Sequence, residues 1–475
     1  MKTISDQEVK AHILRTNPWW RGDCAAIAPI RHARPRPYLE VLYPLVAQLS
    51  VRRAVVLLGP RRVGKTYLIF HLVERLLQEG VDPRRIGYLD VEHPVLQYQS
   101  LTALVDALDN GTPSSPEQPR FVFLDEIQYL RDWERHLKPI VDERPDLRIL
   151  VSGSAAAALK RSSQESGAGR FTDFLLPPLT FPEYLLLSGQ DELLTVNDNR
   201  YHVPDYSQLN QAFINYLNYG GYPEVALSEE VRADAQRFIK SDIVDKVLLR
   251  DLPILYGISD VQELNALFTM LAYNTAQVIS PSELSQKSNV AKPTLLKYIE
   301  YLEAAFLIHR LQRIDQSGRR LKRQHQFKAY LTNPTMRAAL FGEMTADHDS
   351  FGALVETGLL AQLFHADREI RYAAWNGGEV DLVHLHRNLQ PQAALEAKWS
   401  NRPLQDARLT RNLTKFCRST GLNAAICTTI DQWGERQQDG ILIRLIPAAI
   451  MCYHLGAITL DSAGIPVVAE NRDKT

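Results

Sequence analysis

Residues 54–77 read AVVLLGPRRVGKTYLIFHLVERLL. The run Ala54–Leu58 is continuously apolar, as suits a strand buried on both faces of a parallel sheet. Gly59 to Thr66 then spells Gly-x-x-x-x-Gly-Lys-Thr, and Leu68, Leu72, Val73, Leu76 and Leu77 recur at helical spacing. Strand, loop and helix in that order make a phosphate cradle. Gly59 and Gly64 let the backbone through Pro60, Arg61, Arg62 and Val63 curl until its N–H groups converge on phosphate oxygens. The first turn of the following helix, Lys65 to Tyr67, adds its positive end. Lys65 can reach the β- and γ-phosphates of ATP, and the Thr66 hydroxyl can ligate Mg²⁺.

Such a cradle needs a second half, and PRFVFLDEIQYL at 119–130 supplies it. Phe121–Leu124 reads as another buried strand, ending in Asp125 and Glu126. Asp125 is placed to complete the Mg²⁺ site begun by Thr66. Glu126 is placed to polarise an attacking water, which points to hydrolysis of the nucleotide. A third strand, LRILVSGSAAAAL at 147–159, ends in Ser152 and Ser154. Those hydroxyls either sense the γ-phosphate or cap the next helix. Beyond a small-residue loop stands Arg170, which either enters a neighbouring subunit's ATP site or is a solvated loop arginine.

Composition limits the alternatives. The 475 residues suffice for about three domains. Hydrophobic content of 45% and charged content of 23% are ordinary for globular protein, so each domain can build a core. The net charge of −1 means that attraction to nucleic acid must come from local patches. Cys24, Cys417, Cys427 and Cys452 form no Cys-x-x-Cys pair, which argues against zinc fingers and disulfide frameworks. MKTISDQEVK at the start is polar where a secretory peptide needs an apolar core, and no apolar run approaches the ~20 residues that span a bilayer. The expectation is a cytoplasmic protein without a membrane partner.

After the polar stretch 188–206, QAFINYLNYGGYPEVAL reads as a helix stopped at Gly220–Gly221. Ser280 and Glu283, with Pro281 between them, form a capping box that starts a helix. A short turn leads to a second helix opened by Pro293, with Leu295, Leu296, Ile299, Leu302 and Phe306 along one face. A hairpin through IDQSGRRLKRQ follows, and the whole reads as a winged helix. Arg310, Arg313, Arg319, Arg320, Lys322, Arg323 and Lys328 stand here against one acid, Asp315. A basic hairpin beside a recognition helix suits phosphate contacts along DNA, with Arg319, Arg320, Lys322 and Arg323 at its tip. A solvated hairpin that contacts only protein is the alternative.

The stretch EVDLVHLHRNLQPQAALEAKWS, 379–400, reads as two strands around a polar turn. A register with Asp381 opposite Glu396 centres the turn between Asn388 and Leu389. Glu396 and Lys398 then share a face. Asp381 and Glu396 can ligate one divalent cation, with Lys398 close enough to position water. Upstream, Glu356 borders the apolar stripe Leu354, Val355, Leu359, Leu360, Leu363 and Phe364, where a carboxylate needs a partner.

GPRRVGKT, FLDEIQ, ILVSGS, GRFTDFLLPPLTFPEYL and YLNYGGYPEV together resemble the bacterial and archaeal AAA+ ATPases that carry a winged helix and a terminal domain related to PD-(D/E)XK nucleases. The resemblance covers nearly the whole chain. It implies a leader at 1–45, an ATPase core with a parallel sheet at 46–188 and a helical lid at 189–245. A winged helix at 246–330 and a restriction-endonuclease-like α/β domain at 331–475 would follow. It matches Arg170 to the trans-acting arginine, and Glu356, Asp381, Glu396 and Lys398 to the nuclease quartet, although Val380 stands where proline is usual. Trp19 and Trp20 either pack near adenine or are core contacts. The implied activity is ATP-driven binding and remodelling of DNA by a hexamer-type ring, with nuclease activity left open. A protein-directed ATPase is the rival.

Overall fold

The computed structural model describes residues 5–23, 33–48, 50–130, 132–153, 169–197, 200–319, 326–364 and 369–462. These form two compact units, 1–176 and 177–475. The division falls twelve residues before the expected end of the ATPase core at 188. Leu179, Phe181, Tyr184 and Leu185 are the reason. They are buried in one apolar cluster with Phe213, Tyr216, Leu354 and Met451 of the second unit.

In the first unit, β1 (Ala54–Leu58), β2 (Ile86–Asp90), β3 (Arg120–Asp125), β4 (Leu147–Gly153) and β5 (Phe171–Leu175) form a sheet in the order β2-β3-β4-β1-β5. All its pairings are parallel. Strands β1, β3 and β4 are buried throughout, as the apolar runs Ala54–Leu58, Phe121–Leu124 and Ile149–Val151 require. Because β4 lies between β1 and β3, Ser152 ends its strand between the phosphate loop and the acid pair. The helix Lys65–Gln78 follows the loop and buries Leu68, Leu72, Val73 and Leu76.

The second unit holds a small hairpin, β6 (Thr195–Asn197) with β7 (Arg200–His202), and a sheet of nine described strands. Its members are β8 (Gln277–Ile279), β9 (Ile308–Ile314), β10 (Phe327–Leu331), β11 (Glu369–Trp375), β12 (Gly378–Leu385), β13 (Pro391–Glu396), β14 (Ala424–Thr429), β15 (Gly434–Gln438) and β16 (Ile441–Pro447). The order runs β15-β16-β14-β13-β12-β11-β9-β10-β8. Helix Val261–Tyr273, β8, helices Pro281–Ser288 and Lys292–Ala304, β9 and β10 follow one another along the chain. Ser280 caps the second of those helices, accepting from the Glu283 N–H at 3.4 Å.

One join was not visible in the sequence. β9 pairs with β10 on one side and runs parallel to β11 on the other. The expected boundary at 330 therefore does not separate two sheets. The β12–β13 hairpin does take the expected register, with Leu382 opposite Leu395 and Val383 opposite Ala394, and it slips near Leu385. Among the described residues no helix is long and apolar enough to cross a membrane.

Candidate functional site

The phosphate loop closes against the rest of its unit. A Cβ at Gly59 would meet the Leu176 carbonyl oxygen at 2.2 Å, so the first glycine is demanded by close backbone approach. Gly64 takes a left-handed φ of 93° as the residue before the helix. Arg62 is also left-handed, at φ 59°. Val63 is fully buried, and its carbonyl accepts from the buried Arg36 guanidinium at 2.9 Å. Arg61 donates to the Tyr129 hydroxyl at 3.1 Å, and Tyr67 is exposed. Lys65 is folded back onto its own loop, donating to the carbonyls of Gly59 at 3.1 Å and Pro60 at 2.8 Å.

Asp125 sits at the centre of a buried network. Its Oδ2 accepts from Thr66 at 2.6 Å and from the Tyr88 hydroxyl at 3.2 Å, and its Oδ1 accepts from Ser152. Thr66 and Asp125 are thus already adjacent, which fits residues that share a Mg²⁺ ion with ATP. Burial pushes the Asp125 carboxyl up, and the neighbouring Glu126 adds to it. Asp90, beside Asp125 in the sheet, is pushed up to about 6, by burial first and then by the acids around it. Glu126 stands in a left-handed turn at φ 55° and accepts from the Gln128 amide. Ser152 therefore braces Asp125, while Ser154 lies outside the described residues.

Arg170 precedes β5, whose start pairs with Ala54 at the start of β1. The phosphate loop leaves the other end of β1, about 16 Å away at a strand rise of ~3.3 Å per residue. Arg170 pairs with Asp142 at 3.0 Å, the two side chains 41% and 44% exposed. The indole N–H groups of Trp19 and Trp20 both donate to the Ile86 carbonyl, at 2.8 and 2.7 Å. Both tryptophans are buried, so they are core contacts at the start of β2.

In the second unit the structure gathers the expected Glu356 and Asp381, but around a residue the sequence placed elsewhere. The Lys328 Nζ lies 2.9 Å from Glu356 Oε1, 3.2 Å from Asp381 Oδ1 and 2.5 Å from Glu379 Oε1. The Lys328 side chain is 3% exposed. Asp381 Oδ2 accepts from the Ala397 N–H at 2.9 Å, and Glu356 also accepts from the Tyr330 hydroxyl at 2.6 Å. Glu396 pairs with Lys398 at 2.8 Å. Burial disfavours the Lys328 charge, yet Glu356, Tyr330, Asp381 and Glu379 together drive its pKa upward. Burial, then Asp381, pushes Glu356 up to about 7 and Glu396 up to about 8.

Glu356, Asp381 and Glu396, read from the sequence as metal ligands, come together in the second unit. A cation is already present between two of them, and it belongs to the chain. Among the described residues no group of three or more His, Cys, Asp or Glu side chains is placed to hold a metal ion.

The basic patch is correspondingly smaller than its composition suggested. Lys328 is buried, Arg310 pairs with Glu303, and Arg313 donates to the Ala374 carbonyl at 2.9 Å. Arg319 is exposed. Arg320, Lys322 and Arg323 lie outside the described residues. The sequence missed an exposed set, Lys287, Lys292 and Lys297, which flanks and lines the turn between two helices. Their spacing of five residues was the available signal.

Residues 51–185 match the family model described as an AAA domain. The parallel sheet, phosphate loop and acid pair of the first unit fit such a P-loop core. Residues 210–347 match a domain of unknown function, DUF8612. An uncharacterized protein of Haemophilus influenzae is 27% identical over 337 residues, covering 69% of this chain and 78% of its own. Two uncharacterized proteins of Methanocaldococcus jannaschii are each 23% identical. The matched parts cover 55% and 64% of this chain, and 57% and 66% of theirs. Among solved structures, the Aeropyrum pernix ORC1 protein in complex with DNA is 14% identical with a TM-score of 0.30, covering 66% of this chain and 91% of its own. The Saccharomyces cerevisiae Hsp104:casein complex is 14% identical with a TM-score of 0.31, covering 56% and 50%. Likenesses at such TM-scores decide nothing about this chain.

Proposed function

We propose that the chain is an ATPase that acts on DNA. The observation that carries the ATPase half is the Thr66–Asp125–Ser152 network at the mouth of a complete phosphate loop. In this reading Lys65 leaves its two carbonyls and turns onto the β- and γ-phosphates. Thr66 and Asp125 would hold Mg²⁺, whose charge offsets that of the phosphates. Glu126 orients and deprotonates water. Arg170 lies too far from its own loop to serve it, so it acts in a neighbouring subunit of a ring and stabilises charge developing on the γ-phosphate. Arg170→Ala is expected to lower turnover by on the order of 10³-fold while leaving ATP affinity unchanged. Unchanged turnover in the assembled protein removes Arg170 from the site.

The helix pair Pro281–Ser288 and Lys292–Ala304, with β8, β9 and β10, has the order of a winged helix. Its exposed Lys287, Lys292 and Lys297 suit phosphate contacts by the amino-terminal end of a recognition helix. The test is ATP hydrolysis with and without duplex and branched DNA, in wild type and in Lys292→Glu/Lys297→Glu/Arg319→Glu. Stimulation by DNA that disappears in the triple variant supports the reading, and equal rates in all conditions refute it. A polypeptide-directed ATPase is favoured by one specific feature. The turn after β9 is held against the terminal part of the chain, with Gln316 donating to Ser419 at 3.0 Å. A Cβ on Gly318 would lie 2.5 Å from Pro391.

A further inference from the structure

We infer that the Lys328 ammonium takes the place of a divalent cation in the carboxylate centre of the second unit, and that removing it opens a metal site there. The inference is independent of the ATP site. An ammonium has three N–H donors and no acceptor. Here three carboxylates from two elements stand around it, Glu356 on the helix Phe351–Ala361 and Glu379 and Asp381 on β12, while Lys328 itself comes from β10, with β11 and β9 between the two strands in the sheet. Two of its donors go to Glu356 and Asp381, and Glu379 completes the set as an ion pair.

The placement follows from strand periodicity. Glu379 and Asp381 are two apart on β12 and share a face. Lys328 and Tyr330 are two apart on β10, and both reach Glu356. The ammonium and a metal ion would compete for the same oxygens. Mg²⁺ binds carboxylate oxygens at about 2.0–2.1 Å, so an ion drawing on Glu356 and Asp381 would sit almost on top of Nζ. Two positive charges at that separation in a buried site repel strongly. Lys328 cannot simply swing out of the way, because its side chain is 3% exposed and leads from a fully buried strand. Glu396, the remaining expected ligand, is paired through Oε1 with Lys398. The chain has thus built the donor set of a cation site and filled it from its own sequence. It follows that the centre of the wild-type protein does not support metal-dependent cleavage.

The probe is Mn²⁺ added to the full-length, nucleotide-free protein, followed by electron paramagnetic resonance and by thermal unfolding. Wild type is expected to bind no more Mn²⁺ than Asp381→Asn. Lys328→Met is expected to melt earlier in chelator, to be restabilised by Mn²⁺, and to lose that response when Asp381→Asn is added. The gain in affinity over wild type should be roughly 10–100-fold, the range by which groups beside metal ligands alter binding. Lys328→Gln, which keeps an uncharged donor one bond nearer the strand, serves in the same way if the methionine variant does not fold. Wild-type Mn²⁺ binding that Asp381→Asn abolishes overturns the inference. So does a folded Lys328 variant that binds no more Mn²⁺ than wild type.

Discussion

Two lysines at two buried sites define the contrast in this molecule. Lys65 and Lys328 both lie beside carboxylates and both are nearly inaccessible to water. Lys65 donates to two backbone carbonyls of its own loop, neutral acceptors that a polyphosphate outcompetes. Lys328 pairs with three carboxylates. A lysine held by amides is poised to act, whereas one held by three charges is part of the framework. The same residue type therefore serves as a ligand-binding arm in one unit and as a built-in counter-ion in the other.

Substitutions separate the two roles, the largest effect coming first. Lys328→Met leaves the buried carboxylates of Glu356 and Asp381 without their cation and should cost roughly 3–5 kcal/mol of stability, read by denaturant unfolding. Lys65→Met should reverse the pattern. ATP turnover is expected to fall by on the order of 10²–10³, as for loss of one donor to developing charge. Its unfolding midpoint should move less, since the hydrogen bonds to the Gly59 and Pro60 carbonyls are worth about 1 kcal/mol each. If Lys65→Met destabilises the chain as much as Lys328→Met, the contrast collapses. Tyr88→Phe removes one donor from Asp125 and should cost about 1 kcal/mol, with a modest drop in turnover at saturating Mg²⁺.

A separate test is a pH dependence. Glu396 is raised from 4.5 to about 8 in the folded chain, so the folded state holds its proton more tightly than the unfolded state does. Stability then falls as pH rises from about 4.5 towards about 8. Glu396→Gln should flatten the upper part of that slope, and melting curves collected across the range measure it. A slope unaltered by the substitution would assign it to other groups.

What the sequence disclosed was local. The phosphate loop, the Asp125–Glu126 pair and the register of the β12–β13 hairpin are each set within about twenty residues, where motif spacing and period-2 alternation suffice. Long-range pairing was hidden. Nothing near Ile308–Ile314 announces that β9 will take β11 as a neighbour. Lys328 was counted with a basic hairpin because it follows one in the chain. Yet a single charge in FKAYL, a strand buried at every position, signals a residue with a buried partner. Glu379 was legible in the same way, two residues from Asp381 on one face. The break after Leu176 escaped notice because Phe181 and Tyr184 are as apolar as any core residue of the first unit, and only the packed structure shows which core they join.

The most direct test counts metal ions. Mn²⁺ titrated into the wild-type chain and read by paramagnetic resonance should show one tightly held ion when ATP is present and none without it. Thr66→Ala should abolish that ion, and Asp381→Asn should leave it untouched. A tightly bound ion in the absence of nucleotide, lost on Asp381→Asn, would contradict the account.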